Sequence, residues 1–571
     1  MSIGFASRDS QQQTSTVDDD AEGAAGLSVR GAASVPGAAA ARALLTEESV
    51  AGRLAGKDAT LWGPDAQQEA EIRLGWVDTF RRSRDLLPRL AQLRDELAAL
   101  FPADPSAPSA LPYHVVLAGM GGSSLAPEVI TRTLGVPLTV LDTTDPHQVR
   151  AALADRLDRT VVVVASKSGS TVETDAHRRA YWQAFLDAGV TDPGKRFVVV
   201  TDPGSPLEKV ARDNGMHLVL ADPHVGGRYS ALTAFGLVPS ALAGVKVAEL
   251  LDQADELART LGDDENTNPA LALGAALGAA ANAGRDKVAL VDDGTGITGL
   301  GDWIEQLVAE STGKQGKGIL PVVVESPAAA GATGDDVLTV TIGGALAPAG
   351  VPGSGVTPHV AVNGPLGAQF LVWEAATAFA GRLLEINPFD QPNVTESKDA
   401  TNRLLESGLP AVEPSFVDGA VTGYGAPGVS TVEEALAALL GQVGADGYLA
   451  VMAYLDRFGD SALAGLRPLL AAAVGRPVTF GWGPRFLHST GQYHKGGPQV
   501  GAFLQLTGAV TDDLPVPGRP YTFGQLLAAQ AGGDRAALST RNRPLLWLHL
   551  TDRSAGTTQL LTAAANLASR A

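Results

Sequence analysis

From residue 112 onward the chain alternates short apolar runs with glycine-containing turns and helical stretches. HVVLAG (114–119), LTVLDTTD (138–145), TVVVVASKSG (160–169), RFVVVTDPGS (196–205) and HLVLAD (217–222) recur at intervals of roughly 20 to 30 residues. That rhythm predicts βαβ crossovers and a mainly parallel sheet, and an uninterrupted β-branched run such as TVVVV suits a strand covered on both faces. A second series begins at KVALVDD (287–293) and continues through ILPVVVE (319–325), VLTVTI (337–342) and HVAVNG (359–364). Later strands are expected at YLAVMAYL (448–455), RPVTFGW (476–482) and PLLWLHL (544–550). The openings VVLAGMGGSSLAPEVI and VALVDDGTGITGLGDWI each read as strand, glycine turn and helix. The pattern therefore predicts an α/β protein built from two similar open αβα sandwiches joined by helices near 238–285. Trp76, Phe80, Leu86, Leu87, Leu90 and Leu97 fall at helical spacing and read as core packing. The expected division is a mostly disordered segment over 1–40, a first domain over 41–245 with its preceding helices, and a second over 246–571 with the C-terminal helices and strands.

Composition narrows the functional classes. The 571 residues are 45% hydrophobic, ample for buried cores, whereas the first 40 are polar and then Ala/Gly-rich and lack the large side chains that offset ordering entropy. A net charge of −19 disfavours broad attraction to nucleic acid or anionic membrane, so any anionic ligand has to be held by a local site. The absence of cysteine excludes disulfides, thiolate metal sites and a cysteine nucleophile. With no apolar stretch of membrane-spanning length and no signal core, a soluble cytoplasmic protein is expected.

Candidate chemistry collects where strands end. SKSGST (166–171) leaves a buried strand at the carboxyl edge of a parallel sheet, where ligands bind. The turn GMGGSSLAPEV (119–129) puts Ser123 and Ser124 at a helix N-terminus that favours an anion. Two such hydroxyl-rich loops on one sheet face one crevice and read as a phosphate cradle. In VGGRYSALTAFGL (225–237), Arg228 is placed to donate to a developing oxyanion. In GDWIEQLVAESTGKQGKG (301–318), Glu310 occupies the last turn of a helix, where the dipole disfavours a negative charge, and so suits a poised base.

Taken in order, GMGGSSLAP, SKSGST, VGGRYSALTAFGL, AESTGK and EINPFDQPNVTESK (385–398) resemble the successive signatures of the glucose-6-phosphate isomerase family, whose fold is two sugar isomerase (SIS) domains. The resemblance implies interconversion of glucose 6-phosphate and fructose 6-phosphate through a cis-enediol, in glycolysis and gluconeogenesis, with no cofactor and no metal. Carried over by residue, it implies that Ser123, Ser166, Lys167, Ser168 and Thr171 hold the phosphate. It further implies that Glu310 is the proton-transfer base, that Arg228 supports the enediolate, and that Gln391 and Lys398 border the sugar, Lys398 beside the ring oxygen. SKSGST and ESTGK depart from the family's usual SKTFTT and ESNGK while keeping similar residue types.

A larger departure concerns the ring-opening histidine, which the family carries between the ESNGK-like and FDQ-like motifs. That interval holds only His359, without the motif. FLHSTGQYHKGGP (486–498) offers His488 and His494 instead, six residues apart, and it resembles short actinobacterial isomerases and the isomerase half of transaldolase/isomerase fusions. In the family this histidine comes from the neighbouring subunit, which implies a homodimer. Two other readings compete. Gly294, Gly296 and Gly299 spell G-x-G-x-x-G after a strand, with Glu325 ending the next strand, the layout of an NAD(P)-dependent oxidoreductase. A sugar-phosphate-sensing regulator would keep the phosphate loops and have no need of Glu310, Arg228, Gln391 and Lys398 together.

Overall fold

A computed structural model describes residues 21–22, 24–102, 110–265, 267–344 and 358–571. The expectation of disorder over residues 1–20 lies outside the described residues. The chain forms an α/β fold with three mostly parallel sheets flanked by helices.

The first sheet has the five strands that the apolar runs predict, side by side in the order Thr139–Leu141, His114–Gly119, Thr160–Ala165, Phe197–Thr201 and His217–Leu220, all parallel. Every residue of His114–Gly119 and of Thr160–Ala165 is buried, as runs covered on both faces should be. Register places Gly119 opposite Ala165, so the two loops that follow leave the sheet as neighbours.

In the second sheet, Lys287–Asp292, Leu320–Val324, Val337–Gly343 and Val360–Asn363 are parallel. Its edge corrects one expectation. Ser28–Arg30 pairs antiparallel with Val360–Asn363, and Leu27, Val29, Ala32, Val35 and Ala38 are buried, so residues 27–38 are ordered rather than part of a disordered leader. Small side chains suffice here because the backbone hydrogen-bonds to a sheet edge at close range. Gly31, at φ +75°, approaches so tightly that an added Cβ would lie 2.3 Å from the His359 carbonyl.

The late strands do not extend the second sheet. Tyr448–Tyr454, Val478–Trp482 and Leu545–Leu550 join Gly501–Gly508 in a parallel third sheet, edged by the antiparallel hairpin Phe416–Asp418 and Val421–Tyr424. One face of it, with Tyr448, Ala450, Met452 and Phe503, packs on Val291, Leu320 and Val322 of the second sheet. The helix Phe523–Ser539 carries Phe523 and Leu526 onto Val149, Ala176 and Ala180 beside the first sheet. The third sheet thus packs on the second, and its flanking helix reaches the helices beside the first. Among the described residues, no helix is long and apolar enough to cross a membrane.

Candidate active site

The two loops at the carboxyl edge of the first sheet are packed too closely for side chains larger than glycine. An added Cβ on Gly122 would lie 1.9 Å from the Gly227 carbonyl, and one on Gly121, at φ +55°, would lie 2.8 Å from Gln306 Nε2 and 2.9 Å from the His488 carbonyl. The glycine turn thus brings the Arg228 segment, the Glu310 helix and the His488 loop to one place. Ser123 is buried at this turn, just before the helix Leu125–Thr133. In the neighbouring loop Ser166 Oγ and Thr171 Oγ1 are 2.9 Å apart, and exposed Ser168 pairs with Ser170 at 2.9 Å. Lys167 Nζ donates to Asp202 Oδ2 at 2.5 Å and to the Pro223 carbonyl at 3.3 Å. Burial lowers the Lys167 ammonium from its ordinary range, with the Asp202 ion pair opposing that shift.

The second group surrounds Glu310. Its helix, Leu300–Thr312, ends at Gly313, as the sequence predicts. Glu310 Oε1 lies 3.5 Å from Arg228 Nη1, and Oε2 accepts from Gln306 Nε2 at 3.1 Å. The Arg228 guanidinium is almost fully buried. It donates through Nε to Ser311 Oγ (2.8 Å), through Nη1 to Gln391 Oε1 (2.6 Å), and through Nη2 to the carbonyls of Pro388 (2.8 Å) and Asp390 (3.0 Å). Lys314, also buried, grips the same loop by Nζ bonds to Asp390 Oδ1 (2.6 Å) and to the carbonyls of Asn387 and Asp390 (2.7 Å each). Two buried cations therefore hold residues 387–391 so that Gln391 shares a guanidinium with Glu310. Burial, aided by the Arg228 charge and opposed by Asp390, pushes the Lys314 ammonium down to about 8.

The third group lines a small cavity of about 110 Å³ that includes Thr171, Glu173, Lys398, His488 and Gln530. His488 Nε2 is 3.1 Å from Glu173 Oε1, which also accepts from Gln530 Nε2 at 2.7 Å. Burial acts to raise the Glu173 carboxyl, but the charge and hydrogen bond of His488 outweigh it and hold the group below its usual range. Gln306 links this group to the second, because its Nε2 also donates to the His488 carbonyl at 2.8 Å. Lys398 reaches the cavity from the helix Val394–Ser407.

His494, the alternative to His488, is not brought to this cavity. Its ring is 2% exposed and packs among Tyr448, Phe486 and Phe503, where burial holds it neutral. The G-x-G-x-x-G turn is also not built for a pyrophosphate. Asp292 Oδ1 accepts from the Gly294 N–H and Asp293 Oδ1 from the Thr295 N–H, both at 2.8 Å, so carboxylates already occupy the donors that a phosphate would use. Glu325, placed by that reading on a ribose, is ion-paired with Arg467.

The sequence reading passed over Glu173, Gln306, Ser311, Lys314, Asp390 and Gln530. Glu173 lies two residues beyond SKSGST, but an acid in the first turn of a helix ordinarily complements the dipole, and nothing local marks it as a histidine partner.

Residues 108–327 match the phosphoglucose isomerase family. A probable glucose-6-phosphate isomerase of Haloarcula marismortui is 38% identical over 226 residues, 38% of this chain and 51% of that one, and the chain spans about half the length of such relatives. The glucose-6-phosphate isomerase of Rubrobacter xylanophilus is 30% identical over 384 residues, which cover 55% of this chain and 87% of that protein. Among solved structures, a hypothetical protein of Thermus thermophilus superposes with a TM-score of 0.53 at 24% identity, over 66% of this chain and 98% of the other, a likeness of fold. With most of the Rubrobacter protein matched at that identity, the chain belongs to the glucose-6-phosphate isomerase family.

Proposed function

We propose that the protein is an aldose–ketose isomerase that interconverts glucose 6-phosphate and fructose 6-phosphate through a cis-enediol. The observation that carries this reading is the Glu310–Arg228 pair: a carboxylate 3.5 Å from a buried guanidinium that also holds Gln391. An aldose and a ketose differ by a proton shift between C1 and C2, so the reaction calls for one base, one cationic support for the enediolate oxygens and exclusion of water. Glu310 takes the proton and returns it, and Arg228 stabilises the charge that develops. Residues Ser123, Ser166, Lys167, Ser168 and Thr171 bind the phosphate at the paired loops of the first sheet. His488, oriented by Glu173, exchanges the proton needed to open the ring, with Lys398 beside the ring oxygen.

The same reading takes residues 41–245 and 246–571 as two SIS-type units, the third sheet belonging to the latter, in a cytoplasmic protein. The reading also takes the protein as a homodimer, as the family resemblance implies; His488 meets Glu173 within one chain. The test is a coupled assay on fructose 6-phosphate, with and without a chelator, on the wild type and on Glu310→Gln. That change keeps the shape but cannot accept a proton, so kcat should fall on the order of 100-fold or more with KM little altered. A Glu310→Gln variant within a few-fold of wild type overturns the assignment and leaves a non-reacting sugar-phosphate sensor as the better reading.

A further inference from the structure

An apolar cavity lies away from the candidate active site. It encloses about 510 Å³ between the helix Val394–Ser407, the helix Phe523–Ser539 and the third sheet, a size suited to a small molecule rather than a protein segment. Its walls are aliphatic, with Leu404, Leu409 and Leu527 among them, and its floor includes Trp547, which stacks on Tyr424 at 3.9 Å between ring centroids. The charged side chains among the described lining residues are of one sign. The Arg535 guanidinium sits 3.8 Å from the Trp547 ring centroid, bonds to the neutral Gln505 amide and has no carboxylate partner among the described residues. Arg403 is exposed at the rim with no ion pair among the described residues, and His549 stands beside Thr507 Oγ1. In a chain of net charge −19, no Asp or Glu among the described residues lines this cavity.

We propose that this cavity is an effector site for a small anionic molecule with a flat apolar body, coupled to the candidate active site through its two helical walls. The ring of the ligand lies against Trp547 and the aliphatic walls, and its carboxylate, phosphate or sulfonate meets Arg535 and Arg403. The coupling follows from shared elements. The helix Val394–Ser407 gives Lys398, Thr401 and Asn402 to the catalytic cavity and Ala400, Arg403 and Leu404 to this one. The helix Phe523–Ser539 gives Gln530, which holds Glu173, to the first and Leu527, Ala531 and Arg535 to the second. The two walls already touch: a Cβ on Gly532 would lie 3.0 Å from Leu404 Cδ1. A ligand that spreads or clamps these helices moves Lys398 relative to Gln530.

The coupling half of the proposal rests on the catalytic reading above; the binding half does not. The probe is anilinonaphthalene sulfonate, a flat aromatic anion whose fluorescence rises on apolar burial. One saturable site per chain is expected on the folded protein. Ala528→Phe, which fills the cavity, should abolish it, and Arg535→Gln should weaken it by about 10-fold or more. By reciprocity, fructose 6-phosphate should change the probe affinity by about 5-fold or more, and the probe should change the sugar affinity by the same factor. Near-ultraviolet circular dichroism checks that both variants keep their tertiary packing. No saturable site, or one indifferent to both substitutions, overturns the proposal, and so does a chain that dimerises through this face until Ala528→Phe separates it. Saturable binding unmoved by fructose 6-phosphate overturns the effector role. Because fluorescence is read without turnover, a saturable site supports the pocket even in a protein that fails the isomerase assay.

Discussion

Replacing Glu173 with glutamine separates ring opening from proton transfer. The carboxylate is 5% exposed and accepts from His488 Nε2 at 3.1 Å and from Gln530 Nε2 at 2.7 Å. A carboxylate that accepts from Nε2 makes that nitrogen the one that bears a proton, and in the proposed mechanism Nδ1 is the nitrogen that exchanges with the sugar. Glutamine has nearly the same volume and keeps one carbonyl acceptor, but it has no charge with which to stabilise an imidazolium. The loss is that of a charge-assisted hydrogen bond in a buried setting, about 1.5 to 3 kcal/mol, which at about 1.4 kcal/mol per decade is on the order of 10- to 100-fold in the step that uses the imidazolium. Glu310 and Arg228 meet this group only through Gln306, which bonds the His488 backbone carbonyl rather than its ring or Glu173, so the transfer between C1 and C2 should be spared. The assay compares turnover of fructose 6-phosphate with that of an analogue lacking the C5 hydroxyl, which cannot close its ring. Glu173→Gln should slow the first by that factor and leave the second within about 2-fold. Equal losses on both substrates would refute the division of labour, because Glu173 would then be supporting the whole site, and unchanged turnover of the cyclic sugar would remove His488 from ring opening.

Two further outcomes follow from the same geometry. Lys167→Ala should raise KM for fructose 6-phosphate by about 10- to 100-fold with kcat within a few-fold, since a phosphate contact binds ground state and transition state alike; steady-state kinetics check this, and an unchanged KM counts against the cradle. Lys314 is protonated below about 8, so as pH rises through that value it loses the charge that grips Asp390 and the 387–391 loop. The alkaline limb of kcat/KM should therefore fall near pH 8, and Lys314→Arg, which keeps the charge, should move it upward by a unit or more; a limb that stays in place refutes the link.

What could be read from the sequence was what depends on local pattern plus parallel topology. The buried run 160–164 and the polar SKSGST after it are adjacent in the chain, and the rule that ligands gather at the carboxyl ends of parallel strands supplies the rest. The order of residues 27–38 was not legible, because Ala and Gly carry little transfer energy and their burial depends on a backbone partner more than 300 residues away. The strand Gly501–Gly508 was hidden for a related reason: it has glycine at both ends, and Gln505 at its centre is buried only because Ala531 and Arg535 of a distant helix meet its amide. Spacing could not choose between His488 and His494, because both lie in one polar, glycine-rich stretch. Only the third sheet decides, by turning His494 into the aromatic cluster of Tyr448 and Phe503 and leaving His488 at the cleft.

That sheet also explains how a histidine placed so late in the chain comes to lie beside the glycine turn near residue 120. His488 follows the strand Val478–Trp482, so it leaves the third sheet at its carboxyl edge, just as the glycine turn and SKSGST leave the first. The two edges meet because the third sheet packs on the second, whose own helix Leu300–Thr312 carries Gln306 and Glu310. An amide nitrogen has two hydrogens, and Gln306 commits one to Glu310 Oε2 and the other to the His488 carbonyl. Glu310 and the His488 loop are thus held by one side chain, and Gly121 must lack a Cβ for that amide to fit. In this arrangement the third sheet carries the His488 loop to the glycine turn, and the glycine at 121 is the local cost of bringing that loop within reach of the first sheet.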